Sequence, residues 1–165
     1  MSLKKRVILG QLKRLETLYV MASSISDVEH QKFYSKLAIL ECGGWVEASM
    51  DIIARRYLTK RHIKNRTIID AADLIIDKNY GFDYKDNFKI ILCKIAGVAE
   101  FYKIEKNINP LVLDSFKISL GTLRVLRNAH AHTYILNASG PFYDPSWTLN
   151  VFGRIYPGLM EFYNK

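Results

Sequence analysis

The sequence predicts an all-α fold, one helical bundle of about five to seven helices over residues 1–165. Two observations carry this. Apolar residues recur every three or four positions along each strongly patterned segment, the period of a helix face, and no segment sustains the alternation that a half-buried strand requires. The chain has 165 residues, 49% of them hydrophobic, which is enough to bury a core without disulfides or a structural metal.

From Leu3 to about Ser23, the residues Ile8, Leu12, Leu15, Leu18 and Ala22 fall on one face and predict the first helix. After a Ser-Ile-Ser-Asp break, a long second helix is expected from about Asp27 to Tyr57. Tyr34, Ala38, Glu41, Trp45, Ala48 and Ile52 form its row, Leu37, Leu40 and Gly44 lie beside it, and one acid stands within the apolar stripe. Thr67–Ile76 reads as a third helix with Asp70 in its first turn, stopped by Asn79-Tyr80-Gly81. Asp86–Lys103 suggests one or two shorter helices with a break at Gly97. Asn109-Pro110 marks the start of a long helix, Leu111 to about Leu136, which contains no Pro and only Gly121. It ends at Asn137-Ala138-Ser139-Gly140-Pro141, and a last helix starts at Asp144-Pro145 and is bent or stopped at Pro157-Gly158. Nothing in the chain reads as a repeat, a low-complexity segment or a linker, so one domain is expected.

Twenty-four Lys and Arg against sixteen Asp and Glu give a formal charge of +8, which favours an anionic partner such as RNA, DNA or a lipid surface. The densest basic run is Arg55, Arg56, Lys60, Arg61, Lys64 and Arg66, with His62 inside it and no acid between. Such a run is a solvated face or an RNA contact, and Arg124 on the long helix joins it as a candidate RNA-binding residue. The two cysteines, Cys42 and Cys93, sit inside apolar helical patterns without zinc-ligand spacing, so free thiols in a reducing, cytoplasmic compartment are expected. Charges at Lys13, Arg14 and Glu16 interrupt the apolar run that a signal peptide needs. No stretch approaches the roughly 18 uncharged apolar residues of a membrane span. Phosphate-loop, dinucleotide, serine-hydrolase and zinc-finger motifs are missing, and the aromatics are spaced as core residues rather than interleaved with basic ones as in a stacking surface for single strands.

On the long helix, Leu113, Phe116, Leu120, Leu123 and Arg127 form one row, and Ile118, Gly121, Val125, Asn128 and His132 another. Both rows turn polar at the same end. A helix apolar over so wide an arc needs cover on more than one side, so one row is expected to face the core and the other a second subunit or another helix. Arg127 and His132 lie about 140° apart around the helix, so they can flank a groove but not stack.

The segment Arg127-Asn128-Ala129-His130-Ala131-His132-Thr133-Tyr134 resembles the signature of the HEPN superfamily: an Arg, often a polar residue such as Asn, and a His four residues beyond. Tyr134 completes the longer form R-x4-H-x-Y of the toxin halves of some HEPN/nucleotidyltransferase pairs. The second helix, through Leu40-Glu41-Cys42-Gly43-Gly44-Trp45-Val46-Glu47, also looks like an earlier helix of the family, with Glu41 or Glu47 as the supporting acid. The resemblance implies metal-independent endoribonuclease activity without a cofactor, in a toxin or phage-defence component that acts as a homodimer with a composite site. Its expected partners are RNA, a second copy and a nucleotidyltransferase-type antitoxin. Under it His132 is the acid/base, Arg127 the phosphate clamp, and Asn128 orients the imidazole or binds phosphate.

The residue types suit that chemistry. A near-neutral imidazole can move a proton at the ribose 2′-OH or the leaving oxygen, and a permanent guanidinium can stabilise phosphate charge. Each residue also has a structural reading. Arg127 can bind carbonyls or an acid at a helix end, and His132 can sit partly buried at an interface. His130 can compete for the catalytic role, yet it falls on the row that continues from the core. Tyr134 is a core or interface tyrosine or a modification acceptor, and Glu41 is a buried partner for an Arg such as Arg127 or an ordinary helix acid. The alternative function is a non-catalytic HEPN module that binds nucleotide, nucleic acid or a regulatory partner, and a weaker one is a helical adaptor whose charge serves solubility.

Overall fold

A computed structural model describes residues 3–60, 63–131 and 142–165. It is an all-helical bundle: α1 (Lys5–Ser24), α2 (Val28–Lys60), α3 (Arg66–Asp77), α4 (Lys89–Ala96), α5 (Val98–Lys106), α6 (Pro110–Ala131) and α7 (Pro145–Asn164), with a single π-helical turn, Tyr84–Phe88, leading into α4. No strand occurs among the described residues.

Local sequence sets the helix starts. Asp27 accepts the His30 N–H at 3.1 Å on entry to α2, Asn65 caps α3 through the Thr67 and Ile68 N–H groups, and Asp144 caps α7 through Trp147 N–H with Pro145 in the first turn; each satisfies amide groups that a helix end leaves without partners. The expected break at Gly97 occurs, with φ of 89°, a conformation in which a side chain is strained.

The 33-residue α2 is the central post and touches α1, α3, α4, α6 and α7. Its buried stripe runs through Ala38, Ile39, Cys42, Val46, Met50, Ile53 and Tyr57. This corrects the expected row: Tyr34, Glu41, Trp45 and Ile52 are half-buried and Ala48 is exposed, so the buried face is rotated from it. A helix covered from several directions is apolar over most of its circumference, and periodicity then cannot single out one row. The rings of Phe88, Phe101, Phe116 and Phe162 pack as one cluster beside Tyr84. The Tyr84 hydroxyl is satisfied by Glu105 at 2.6 Å.

Of the bend or stop expected at Pro157-Gly158, the stop does not occur, since α7 continues through Pro157 to Asn164. Burial of Leu159 and Phe162 beyond the proline outweighs the one backbone bond it removes. The far end of α7 is fastened by α2: Arg56 Nε donates to Tyr163 O, Tyr57 O–H to Phe162 O and Lys60 Nζ to Asn164 O. These are carbonyls that a helix C-terminus leaves open, at the end where positive charge is favoured.

Candidate functional site

Three pieces of chain meet at Arg127. Helix α6 brings it along its buried row, following Leu113, Phe116, Leu120 and Leu123. Helix α2 brings Glu47, whose Oε2 lies 3.1 Å from Arg127 Nη2, and the loop after α3 brings Phe82, whose ring centre lies 5.6 Å from the guanidinium carbon. Arg127 Nη1 also donates to Asn128 Oδ1 at 3.1 Å. The pair is partly covered, with side-chain exposures of 29% for Arg127 and 26% for Glu47.

Gly43 makes the approach possible. A Cβ there would lie 3.1 Å from Arg127 Cγ and 3.2 Å from Phe82 Cε1, so a larger residue would push both away from α2. The other oxygen of Glu47 accepts the N–H of Gly81, whose φ of 102° favours glycine. Asn87 braces the same loop: its Oδ1 accepts Asp83 N–H at 2.9 Å and its Nδ2 donates to Tyr80 O at 2.8 Å. Glu47 is thus held at both oxygens and in turn fixes the plane of the guanidinium, which carries five N–H donors in a rigid fork.

Glu47 is the acid that meets Arg127. Glu41 points elsewhere on α2, lining a shallow groove against Val7, Ile8 and Gln11 of α1, and makes no ion pair among the described residues, which corrects its reading as a buried partner for Arg127. One turn beyond Glu47, Asp51 is pushed up to about 6, first by burial and further by the nearby Glu47 and Asp77 carboxylates, with Arg55 opposing.

His130 is 2% exposed, on the core side as its row implied, with its ring 5.0 Å from that of Phe142. Asn128 is exposed beside Arg127. His132 and Tyr134, and Arg61 of the basic run, lie outside the described residues. The second row of α6 is open: Ile118 is 69% and Val125 62% exposed.

The basic run acquires partners in three dimensions that its sequence lacks. Arg55 bonds Asp73 at 3.0 Å and Asp77 at 2.7 Å from α3, and Arg66 pairs with Asp70 at 2.9 Å. Arg56 and Lys60 bind the end of α7. Arg124 lies 3.5 Å from Asp83 and 4.0 Å from Asp86. Lys64 is exposed and forms no ion pair among the described residues.

Cys42 is buried and free, its thiol pushed up to about 12 by burial, so it is inert at neutral pH. Cys93 is free and half-buried. Among the described residues no group of three or more His, Cys, Asp or Glu side chains is placed to hold a metal ion, and no helix is long and apolar enough to cross a membrane.

The site roles of Gly43, Gly81 and Phe82 escape the sequence reading, in which Gly81 is only part of a helix stop and Gly43 only part of the second helix. Gly43 had a signal, because a glycine inside a long helix costs about 1 kcal/mol against alanine and usually marks a close approach. Comparison with protein-family models, with curated proteins and with solved structures finds no match to this chain.

Proposed function

We propose that the protein is a HEPN-type, metal-independent endoribonuclease that works as a homodimer. The observation that carries this reading is the anchoring of Arg127. A guanidinium at the polar end of α6, held by Glu47, Asn128 and the Phe82 ring, is oriented before any substrate arrives, and such preorganisation is what electrostatic catalysis requires. The sequence places His132 five residues on, the residue type for proton transfer at a ribose 2′-OH. The uncovered row with Ile118 and Val125 is a suitable face for the second subunit, on the same helix as the motif. Its bacterial role would be as a toxin or phage-defence component, with a nucleotidyltransferase-type antitoxin as the partner.

The test is cleavage of RNA by the purified chain and two variants. Arg127→Ala and His132→Ala should each lower the rate by about a hundredfold or more, since general acid–base catalysis alone contributes roughly 10² to 10⁴, while RNA binding changes less. A His132→Ala variant as active as the parent refutes the assignment. One observation favours the second reading, a non-catalytic HEPN module: Glu47 offsets the charge of Arg127, as in a structural ion pair. RNA or nucleotide bound but left uncut by the parent protein would favour it.

A further inference from the structure

The structure carries an open groove between α3 and α4, of about 230 Å³, whose lining does not include Arg127. Leu74, Ile75, Ile90 and Ile91 form its walls and floor. Lys78 and Lys94 stand at its rim, both exposed and neither in an ion pair among the described residues. Asn79 also lines it; its Oδ1 lies 3.5 Å from Asn87 Nδ2, and its own Nδ2 is buried. The groove is aliphatic within, and its charged lining consists of two cations. No acid lines it.

At the groove Leu74 is 60% and Ile90 43% exposed, whereas the acids of α3 are drawn away to Arg55 and Arg66. A groove between two neighbouring helices accepts the side-chain ridge of a third.

We propose that this groove docks an acidic amphipathic helix of another protein, its aliphatic face on Leu74 and Ile90 and its flanking carboxylates on Lys78 and Lys94. Charge selects the occupant. A second copy meeting this groove about a two-fold axis would set Lys78 and Lys94 against the same lysines, whereas an acidic helix is attracted to the rim.

The experiment uses the ¹⁵N-labelled full chain and two synthetic amphipathic helical peptides with the same leucine register, one flanked by glutamates and one by lysines. The glutamate peptide should give saturable amide shifts centred on residues 68–78 and 89–94. Leu74→Asp, or Lys78→Glu with Lys94→Glu, should weaken it by about tenfold or more, and the charge-reversed pair should now take up the lysine peptide. All three positions are exposed, so the variants should keep the parent's circular dichroism and melting. Equal binding of both peptides to the parent, shifts centred elsewhere, or no saturable shift at millimolar glutamate peptide would overturn the proposal.

Discussion

Helices α6 and α7 pack tightly where Gly158 meets Phe116. A Cβ at Gly158 would lie 2.5 Å from Phe116 Cβ and 2.7 Å from its Cδ2, and closer still to Cγ. Two effects of Gly158→Ala then compete. Alanine favours a helix by about 0.5–1 kcal/mol over glycine, whereas forcing a methyl into a packed core costs about 1–3 kcal/mol, occasionally more. Phe116 cannot retreat, since it is fully buried against the rings of Tyr84 at 5.9 Å, Phe88 at 6.0 Å and Phe162 at 6.1 Å. The clash should win, with a net loss of about 1–2 kcal/mol and a fall in Tm of roughly 2–8 °C for a chain of this size. Gly153 in the same helix is the control: it is exposed, a Cβ there meets nothing within 4 Å, and Gly153→Ala should raise Tm by about 1–4 °C. Calorimetry on both variants decides the sign. A Gly158→Ala protein as stable as the parent would refute the packing of α6 on α7.

Asp51 is raised to about 6 from an ordinary 3.8, and its Oδ1 is buried without a hydrogen-bond partner. A raised carboxyl favours the fold fully below about pH 4, and that contribution is lost as the pH climbs through about 6. Asp51→Asn should therefore stabilise by about 1–2 kcal/mol at pH 7, allowing for solvent screening, and do little at pH 4; urea melts showing the same change at both pH values would contradict this. Glu47→Ala strips both Arg127 and the Gly81 N–H of a partner and should cost about 2 kcal/mol, with Glu47→Gln costing less than half as much, by chemical denaturation. Equal losses would mean that the carboxylate does not brace the loop. The parent should scatter light as a dimer at micromolar concentration, and Ile118→Glu with Val125→Glu should give a folded monomer. A monomeric parent removes α6 as an interface.

The fold was legible where local chemistry dominates. The apolar spacing of α1, the Asp144-Pro145 start of α7, the glycine at 97 and the proline at 110 all act within a turn or two of themselves, and the helices begin or break there. It was less legible where distant residues decide. Pro157 reads as a stop until Leu159 and Phe162 are seen to bury beyond it, and the row chosen on α2 missed the buried one because five neighbours surround that helix. The candidate site divides in the same way. The motif itself lies in one segment, but the choice between Glu41 and Glu47 depends on which side of α2 faces α6, and six residues around a helix separate those sides by about 120°. Similarly, the acids that neutralise Arg55 come from Asp73 and Asp77, far enough along the chain for the basic run to look unopposed.

The proposal of RNA cleavage without a metal is tested most directly by the ends left on the RNA. The purified protein should cut RNA in excess EDTA and yield 2′,3′-cyclic phosphate and 5′-hydroxyl termini, as attack by the ribose 2′-OH requires. Cleavage abolished by EDTA, 3′-hydroxyl and 5′-phosphate ends, or intact RNA after prolonged incubation would contradict it.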